Sequence, residues 1–538
     1  MNRVAESPTV SKNERAHFRV LHSSSARPPG NTTGSPQERM LQLQRTIGNR
    51  AVQRLIQSKA GTSRQPAPAG RQARPRTATV VQGKRLQRYE AGEHAKLGET
   101  QAELQAAFAP LKYVVQKDDQ LDGIANKFGI TVDELKDANK SLLKRLPDKP
   151  GSKKTVDGFD PGTTISIPQK LNDLAKAAVK DPAAKFTING VVMDYGVGIA
   201  MGDLFETPDD MAKASPQELQ ELANLILREK SGQNVSQAEW QKATKGRYLE
   251  LAEKNKTHFA PQNPSLAPAT SAGAASPNHK TTWQQHHTAA LNASQSGDKD
   301  RALATNAFAD HFLTDAFAAG HLINKTDVME KFKSQLKVNS KGDFVPASEA
   351  FFDDIAQTAF TGAVATEFST YETVERHYGF HPNINSVSRF STLLQGIYKE
   401  EPDLLANSVT KGIHDKLNTL PGGLPVQNAR GDKWHLSGDG TLNTDTTTIA
   451  HQAVAQSQLN VISVYNVIGA LDYPTLFQKV WDYTPQPTAD GVTQVSDAVT
   501  KGTDITSADL KNAVVSLIKK NYKLILDELV KRKKLRKA

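Results

Sequence analysis

The sequence predicts a multidomain, mainly α-helical chain with a disordered N-terminal tail, a small βααβ module and a large all-α domain. Three observations predict this. At ~100 to 200 residues per domain, 538 residues imply about three units. The first ninety residues are poor in the apolar groups that would offset ordering entropy. From about 171 to 480 the apolar residues recur at helical spacing, and strands are hard to find.

Residues 1–110 read as a basic tail rich in Ser, Pro, Gln, Arg and Gly, as in Ala26 to Pro36 and Arg64 to Thr79. Of the net charge of +10, residues 1–90 carry +13 and residues 519–538 carry +7, so the intervening body is acidic at −10. Neither basic end interleaves aromatics as single-strand binders do, which makes nucleic acid a weaker partner expectation than the pI near 9.3 suggests. One island differs. Residues 40–56 place Met40, Leu41, Leu43, Ile47, Ala51, Val52, Leu55 and Ile56 at helical spacing around a Gly48-Asn49 break, as a short docking helix pair would.

Residues 111–170 form the small module. Tyr113 to Val115 reads as a strand, Asp119 to Phe128 as a helix closed by Gly129, Thr131 to Asn139 as a helix capped by Thr131, and Thr164 to Ile167 as a returning strand. In the helical domain, 171–480, loops are expected at Pro261 to Pro277 and Pro421 to Asp445, and two stretches, Ile188 to Phe205 and Ala302 to Leu322, are unusually apolar. Residues 481–538 divide into a polar linker to about 504 and a helix over Asp509 to Leu529, followed by the basic run Lys531 to Lys537. That run suits a helix C-terminus, or a membrane surface.

Cysteine is absent, which excludes disulfides, thiolate metal sites and cysteine nucleophiles. Any metal site must use His, Asp and Glu. No apolar run approaches the ~18 residues of a membrane span and no secretory signal opens the chain, so synthesis in a bacterial cytoplasm with export or injection by another route is expected.

Eleven of the 14 His lie between His258 and His451. His311 and Asp315, four residues apart on an otherwise apolar helix, are separated by about 40° around it and can face one metal, with His321 two to three turns along. Burying imidazole and carboxylate on such a helix is costly unless they are ligands or fully hydrogen-bonded. Asp310 faces elsewhere and is expected to be solvated or to support a ligand.

Three resemblances extend this reading. Residues 40–56 resemble a segment found near the N-terminus of proteins associated with bacterial extracellular contractile injection systems, which implies loading onto such a particle. The small module resembles LysM through Tyr113 and Val115, Asp119 with Leu121, Ile124 and Ala125, Gly129 to Asn139, and Pro161 to Pro168. The likeness implies peptidoglycan or N-acetylglucosamine chains as ligand at Asp119, Gln120 and Leu121, although Asp118 and Gln120 depart from the pattern and Lys140 to Asp160 is an insertion. The run His311, Thr314, Asp315, His321, Asn324 resembles the signature of the zinc-dependent phospholipase C family, related to P1-type nucleases, with Phe312 and Ala319 replacing Tyr and Pro.

That last resemblance implies two zinc ions, with His258, His311, Asp315, His321 and His414 as ligands. Asp203 becomes a bridging ligand or general base beside a catalytic Asp315. Further ligand candidates are His287, Asn418 and Asp439. His377 and His381 compete with His414, and Trp283, His286 and His287 substitute for the family's free N-terminal amine. The expected activity is hydrolysis of phosphodiesters, acting as an effector on phospholipid membrane at the cell envelope. The alternatives are a P1-like nuclease toxin and a non-catalytic peptidoglycan-binding adaptor of an injection particle.

Overall fold

Every residue of helix Lys299–Asp315 from Ala302 onward is buried, so this helix is the axis around which the body is built. In the computed structural model, residues 91–147, 152–180, 185–263, 273, 276–374 and 383–537 are described, and they fall in one compact unit spanning Gly48–Ala538. The central helix packs along its neighbour His279–Gln295, reached through a tight turn at Ser296 and Gly297. Tyr195–Ala200 and Thr444–Ser463 flank it, together with the strand pair Phe186–Ile188 and Val191–Met193. A helix buried on all sides shows little amphipathic contrast, which is why Ala302 to Leu322 reads as uniformly apolar.

A second layer is formed by helices Pro346–Ala359, Val387–Glu400, Pro402–Asn418 and Ala508–Lys531. Its apolar stripes include Phe351, Phe352 and Ile355 on one helix and Val514, Val515 and Ile518 on another. The body is mainly helical, with small strand pairs at the rim. Leu424–Gln427 pairs with Lys433–Leu436 and with Gln486–Pro487, and Tyr371–Thr373 pairs with Leu535–Lys537. No helix among the described residues is long and apolar enough to cross a membrane.

The LysM region stands on its own core. Leu111–Val114 pairs antiparallel with Thr164–Ile167, and helices Leu121–Phe128 and Val132–Ala138 cover Ile124, Ala125, Leu135, Ile165 and Ile167. Gly129 closes the first helix in the left-handed conformation, and Thr131 forms a capping box with Glu134 at the start of the second. Within the expected insertion, Lys144–Pro147 and Thr155–Gly158 form an extra hairpin.

Three expectations change. The tail expected over 1–110 does not extend to its end: Ala91–Leu97 and Gln101–Phe108 are helices, and Ala95, Leu97 and Leu104 are fully buried in the body. The LysM region therefore sits between the first helices of the body and the rest of it. Residues 481–504 are no linker, because helix Ala489–Thr503 buries Val495, Ala498 and Val499 at three- to four-residue spacing against Pro402–Asn418. The basic C-terminal run folds back onto the body, where Arg532 meets Glu401, Lys534 meets Glu400 and Arg536 meets Glu372. Residues 40–56 lie outside the described residues.

Candidate metal centre

Seven segments converge on one buried volume. His94 comes from helix Ala91–Leu97, Asp203 from the turn Met201–Asp203, and His258 from the turn Lys256–His258. His311 and Asp315 come from the end of the central helix, and His321 from the turn Ala319–His321. His414 lies on helix Pro402–Asn418, and Asp439 follows strand Lys433–Leu436. The central helix stops at Asp315, so His321 does not continue it but returns through a 3₁₀ turn. All eight side chains are nearly inaccessible, at most 8% exposed.

Donor atoms of a tetrahedral zinc site with bonds of ~2.0 to 2.1 Å stand about 3.3 Å apart. The distances here fall around that value. His311 Nε2 lies 3.1 Å from His258 Nδ1, 3.6 Å from Asp315 Oδ2 and 3.8 Å from Asp203 Oδ1, and His258 Nδ1 lies 2.9 Å from Asp315 Oδ2. His94 stands beside His311, their ring centroids 4.4 Å apart, with its Nε2 3.7 Å from Asp315 Oδ1 and 3.8 Å from Asp203 Oδ2. Asp203 and Asp315 thus each set one oxygen near His311 and the other near His94. A further group gathers His321 Nε2 and His414 Nε2, 3.8 and 3.1 Å from Asp439 Oδ2. The three groups His94/Asp203/His311, His258/His311/Asp315 and His321/His414/Asp439 each bring their ligand atoms within 4.8 Å of one another.

Neighbouring groups aim the rings. Thr314 Oγ1 donates to the Asp310 carbonyl at 2.9 Å, so the 2.7 Å contact to His94 Nδ1 has the ring N–H donating, which leaves Nε2 as an acceptor facing the carboxylates. His321 Nδ1 donates to the His258 carbonyl at 2.7 Å, which turns its Nε2 toward Asp439. Asn418 Nδ2 donates to Asp439 Oδ2 at 2.8 Å, and its Oδ1 accepts from Gly320 N at 2.6 Å. Asn324 caps helix Lys325–Lys333 and donates to the Ala260 and Pro261 carbonyls, fastening the His258 loop.

Two glycines make room for imidazoles. A Cβ on Gly202 would lie 2.3 Å from His311 Cγ, and one on Gly320 would lie 2.5 Å from His414 Cδ2. The Ala319 N–H donates to the Ser437 carbonyl at 3.0 Å, a bond proline could not make, and so ties the His321 turn to the loop bearing Asp439.

The electrostatics demand positive charge. Burial would raise the Asp315 carboxyl, but His311, His258 and His321 hold it well below the usual carboxylate range. Burial likewise opposes ionisation of Asp439, yet His414 and His321 beside it depress it. Burial would lower the His321 imidazole, but Asp315 and Asp439 push it up to about 9. Burial dominates at His94 and lowers it to about 4, which keeps a neutral lone pair facing the two aspartates. Asp439 Oδ1 is buried with no hydrogen-bond partner among the described residues. Nitrogen and oxygen donors at these separations, around ionised carboxylates, fit divalent zinc.

Of the residues expected from the sequence, Asp203, His258, His311, Asp315, His321, His414 and Asp439 are brought together. Asn418 is not among the three ligand groups; it holds Asp439. His287 stands elsewhere, its Nδ1 2.5 Å from Asn306 Oδ1 and its ring stacked on Trp283. Neither His286, which packs on Phe308 and Phe312, nor Trp283 enters the cluster. His94, which the sequence did not single out, joins it. No spacing signal announced it, since the nearest other ligand is more than a hundred residues away and the basic tail immediately precedes it. Asp310 is buried rather than solvated: Tyr195 Oη, Trp283 Nε1 and Ser457 Oγ donate to it at 2.6, 3.0 and 2.6 Å, and burial pushes it up to about 7. His377 and His381 lie outside the described residues.

In the LysM region Asp119 is committed locally, accepting from Tyr113 Oη and Gln116 N, each at 2.7 Å, while Gln120 precedes the helix that Leu121 opens. Comparison with known families detects a LysM domain at residues 113–143. No curated protein and no solved structure matches the chain.

Proposed function

We propose that the body is a zinc-dependent phosphodiester hydrolase of phospholipase C type, and that the LysM domain, which points to peptidoglycan or N-acetylglucosamine glycans, holds it at the bacterial envelope. The observation that carries the reading is the pair of carboxylates, Asp203 and Asp315, buried among the imidazoles of His94, His258 and His311. Asp203, His258, His311 and Asp315 would hold one ion, and His321, His414 and Asp439 a second. His94, grouped with Asp203 and His311, would add a donor beside the first. Bound zinc supplies Lewis-acid polarisation of a phosphoryl oxygen and acidifies water toward a pKa of ~7.

The chain's own residues set the geometry. Thr314 and the His258 carbonyl orient the His94 and His321 rings and Asn418 orients Asp439, and Asp203 would serve as a ligand or accept a proton from attacking water. His321, His414 and Asp439 would offer three donors to an ion, the number that catalytic zinc sites draw from the protein. In this reading residues 40–56 load the chain onto an injection particle and the protein acts as an effector at an envelope membrane.

The test is elemental analysis of the purified full chain together with hydrolysis of bis(4-nitrophenyl) phosphate, 4-nitrophenyl phosphocholine and single-stranded DNA. At least two zinc ions per chain are expected, with ester hydrolysis lost together with metal in His311→Ala. Zinc with DNA cleavage alone would replace the lipase reading by a nuclease. A metal-free, inactive wild type would leave only a glycan-binding adaptor.

A further inference from the structure

A cavity of about 560 Å³ lies against the metal centre, with His414 in its wall. Its sides come from four helices: Phe352 and Ile355 from Pro346–Ala359, Leu394 and Ile397 from Val387–Glu400, Leu405 from Pro402–Asn418, and Ile518 from Ala508–Lys531. Phe259, whose ring stacks on His321 at 5.1 Å, stands with His414 where the cavity meets the ligand cluster. Lys325, buried, donating to Asn255 Oδ1 at 2.7 Å and 5.9 Å from the Phe259 ring, stands at that end, and Lys411, one helical turn before His414, is paired with Asp415 at 2.8 Å. Five Lys or Arg and two Glu line the whole cavity, with Lys245, Lys411 and Arg532 held in ion pairs.

A volume of this size with a largely apolar lining fits a ligand site better than a packing defect, since folded interiors keep few voids larger than a water. Its occupant must be apolar over most of its length and anionic where it reaches Lys325 and His414. We infer that this cavity binds one aliphatic chain of an amphiphilic phosphodiester, seating the chain between the four helices so that the phosphodiester reaches the His321/His414/Asp439 group. The identification of the reacting group rests on the hydrolase reading; the chain pocket itself does not. A nucleic acid, with no aliphatic chain, leaves this volume unused.

The test has two arms, both on the full chain. In the first, parinaric acid, a fluorescent polyene fatty acid, is titrated into wild type, Ile397→Trp, Leu405→Trp and His311→Ala, with far-ultraviolet circular dichroism confirming that each is folded. Saturable one-to-one binding is expected for wild type and for His311→Ala, and binding at least tenfold weaker in both cavity-filling variants. In the second, zinc-loaded protein is given 4-nitrophenyl alkyl phosphates of increasing chain length. Values of kcat/KM should rise about fourfold per methylene until the cavity is full, and stay flat in Leu405→Trp.

Absence of saturable binding in wild type, or undiminished binding in both folded filling variants, overturns the pocket. Probe binding that the filling variants abolish, without hydrolysis of any ester, upholds the pocket and removes the hydrolase reading instead.

Discussion

The LysM region and the metal centre are built from opposite kinds of information. Every core residue of the LysM region lies between Val115 and Ile167, and its strands, helix stops and capping box follow one another in a fixed order. The metal centre draws eight side chains from seven segments that span His94 to Asp439. A local module can be recognised by register, because each residue's neighbours are set by short turns. A site assembled over such separations depends on packing between elements, and each arm can fail independently.

The sharpest way to break that contrast is to remove metal. All four Trp (240, 283, 434 and 481) lie in the body, so Trp fluorescence follows its unfolding alone. Returning zinc to the stripped full chain at ~1,000 times its Kd should stabilise the folded state by ~4 kcal/mol and raise the Trp-detected Tm by roughly 5 °C. The melting of LysM backbone amide signals should not shift. Equal Tm values with and without zinc would mean that the His and Asp cluster holds no metal.

A narrower break is His94→Ala. If Asp203 and Asp315 bridge toward this imidazole, the variant should lose about one zinc per chain and keep the rest, with phosphodiester hydrolysis down by at least tenfold. Unchanged zinc content would reduce His94 to a packing residue. His311→Ala, which removes the imidazole within 3.8 Å of both aspartates and 3.1 Å from His258, should cost at least as much metal.

His94 also shows where reading the sequence stops. The spacing of His311 and Asp315 on one helix face was legible, because both are fixed by a single local geometry, and the likeness of the run to Asn324 supplied His321. Asp203 and His258 came through the same family resemblance. His94 had no such support: its position depends on helix Ala91–Leu97 packing on Tyr195–Ala200, a contact made across the whole LysM region. Helix Ala489–Thr503 was missed for a different reason. Its Val495, Ala498 and Val499 stripe is short and interrupted by Thr, Ser and Gly, so composition read as linker although the periodicity was helical. The basic run after Leu529 looked like an exposed patch because sequence does not show Glu400, Glu401 and Glu372 waiting across the fold.

Beneath the ligands, Asp310 tests whether the polar layer supports stability rather than chemistry. Asp310→Asn forfeits an acceptor among four donors and should cost about 1 to 3 kcal/mol while leaving zinc content intact. The folded-state carboxyl titrates at about 7 against an ordinary 3.8, so the folded chain holds this proton more tightly than the unfolded one. Its contribution is therefore greatest at and below about pH 4 and declines as pH rises to about 7. In the metal-free protein, the Tm gap between wild type and Asp310→Asn should shrink over that range. A gap that widened would mean that Asp310 is ionised in the fold throughout.

The smallest expected effect lies in the LysM region and tests its independence. Thr131 accepts from Glu134 N, and Glu134 Oε2 accepts from Thr131 N at 2.7 Å, so the second helix begins with two backbone donors satisfied reciprocally. Thr131→Ala removes one half of that exchange and should cost about 1 kcal/mol, read from amide hydrogen exchange in Val132–Ala138. Because the LysM core shares no residue with the core of the body, the Trp-detected melt and the zinc content should stay as in wild type. A parallel loss of metal would show that the module props open or closes the body it interrupts, and that the local and the assembled parts of this chain are one cooperative structure rather than two.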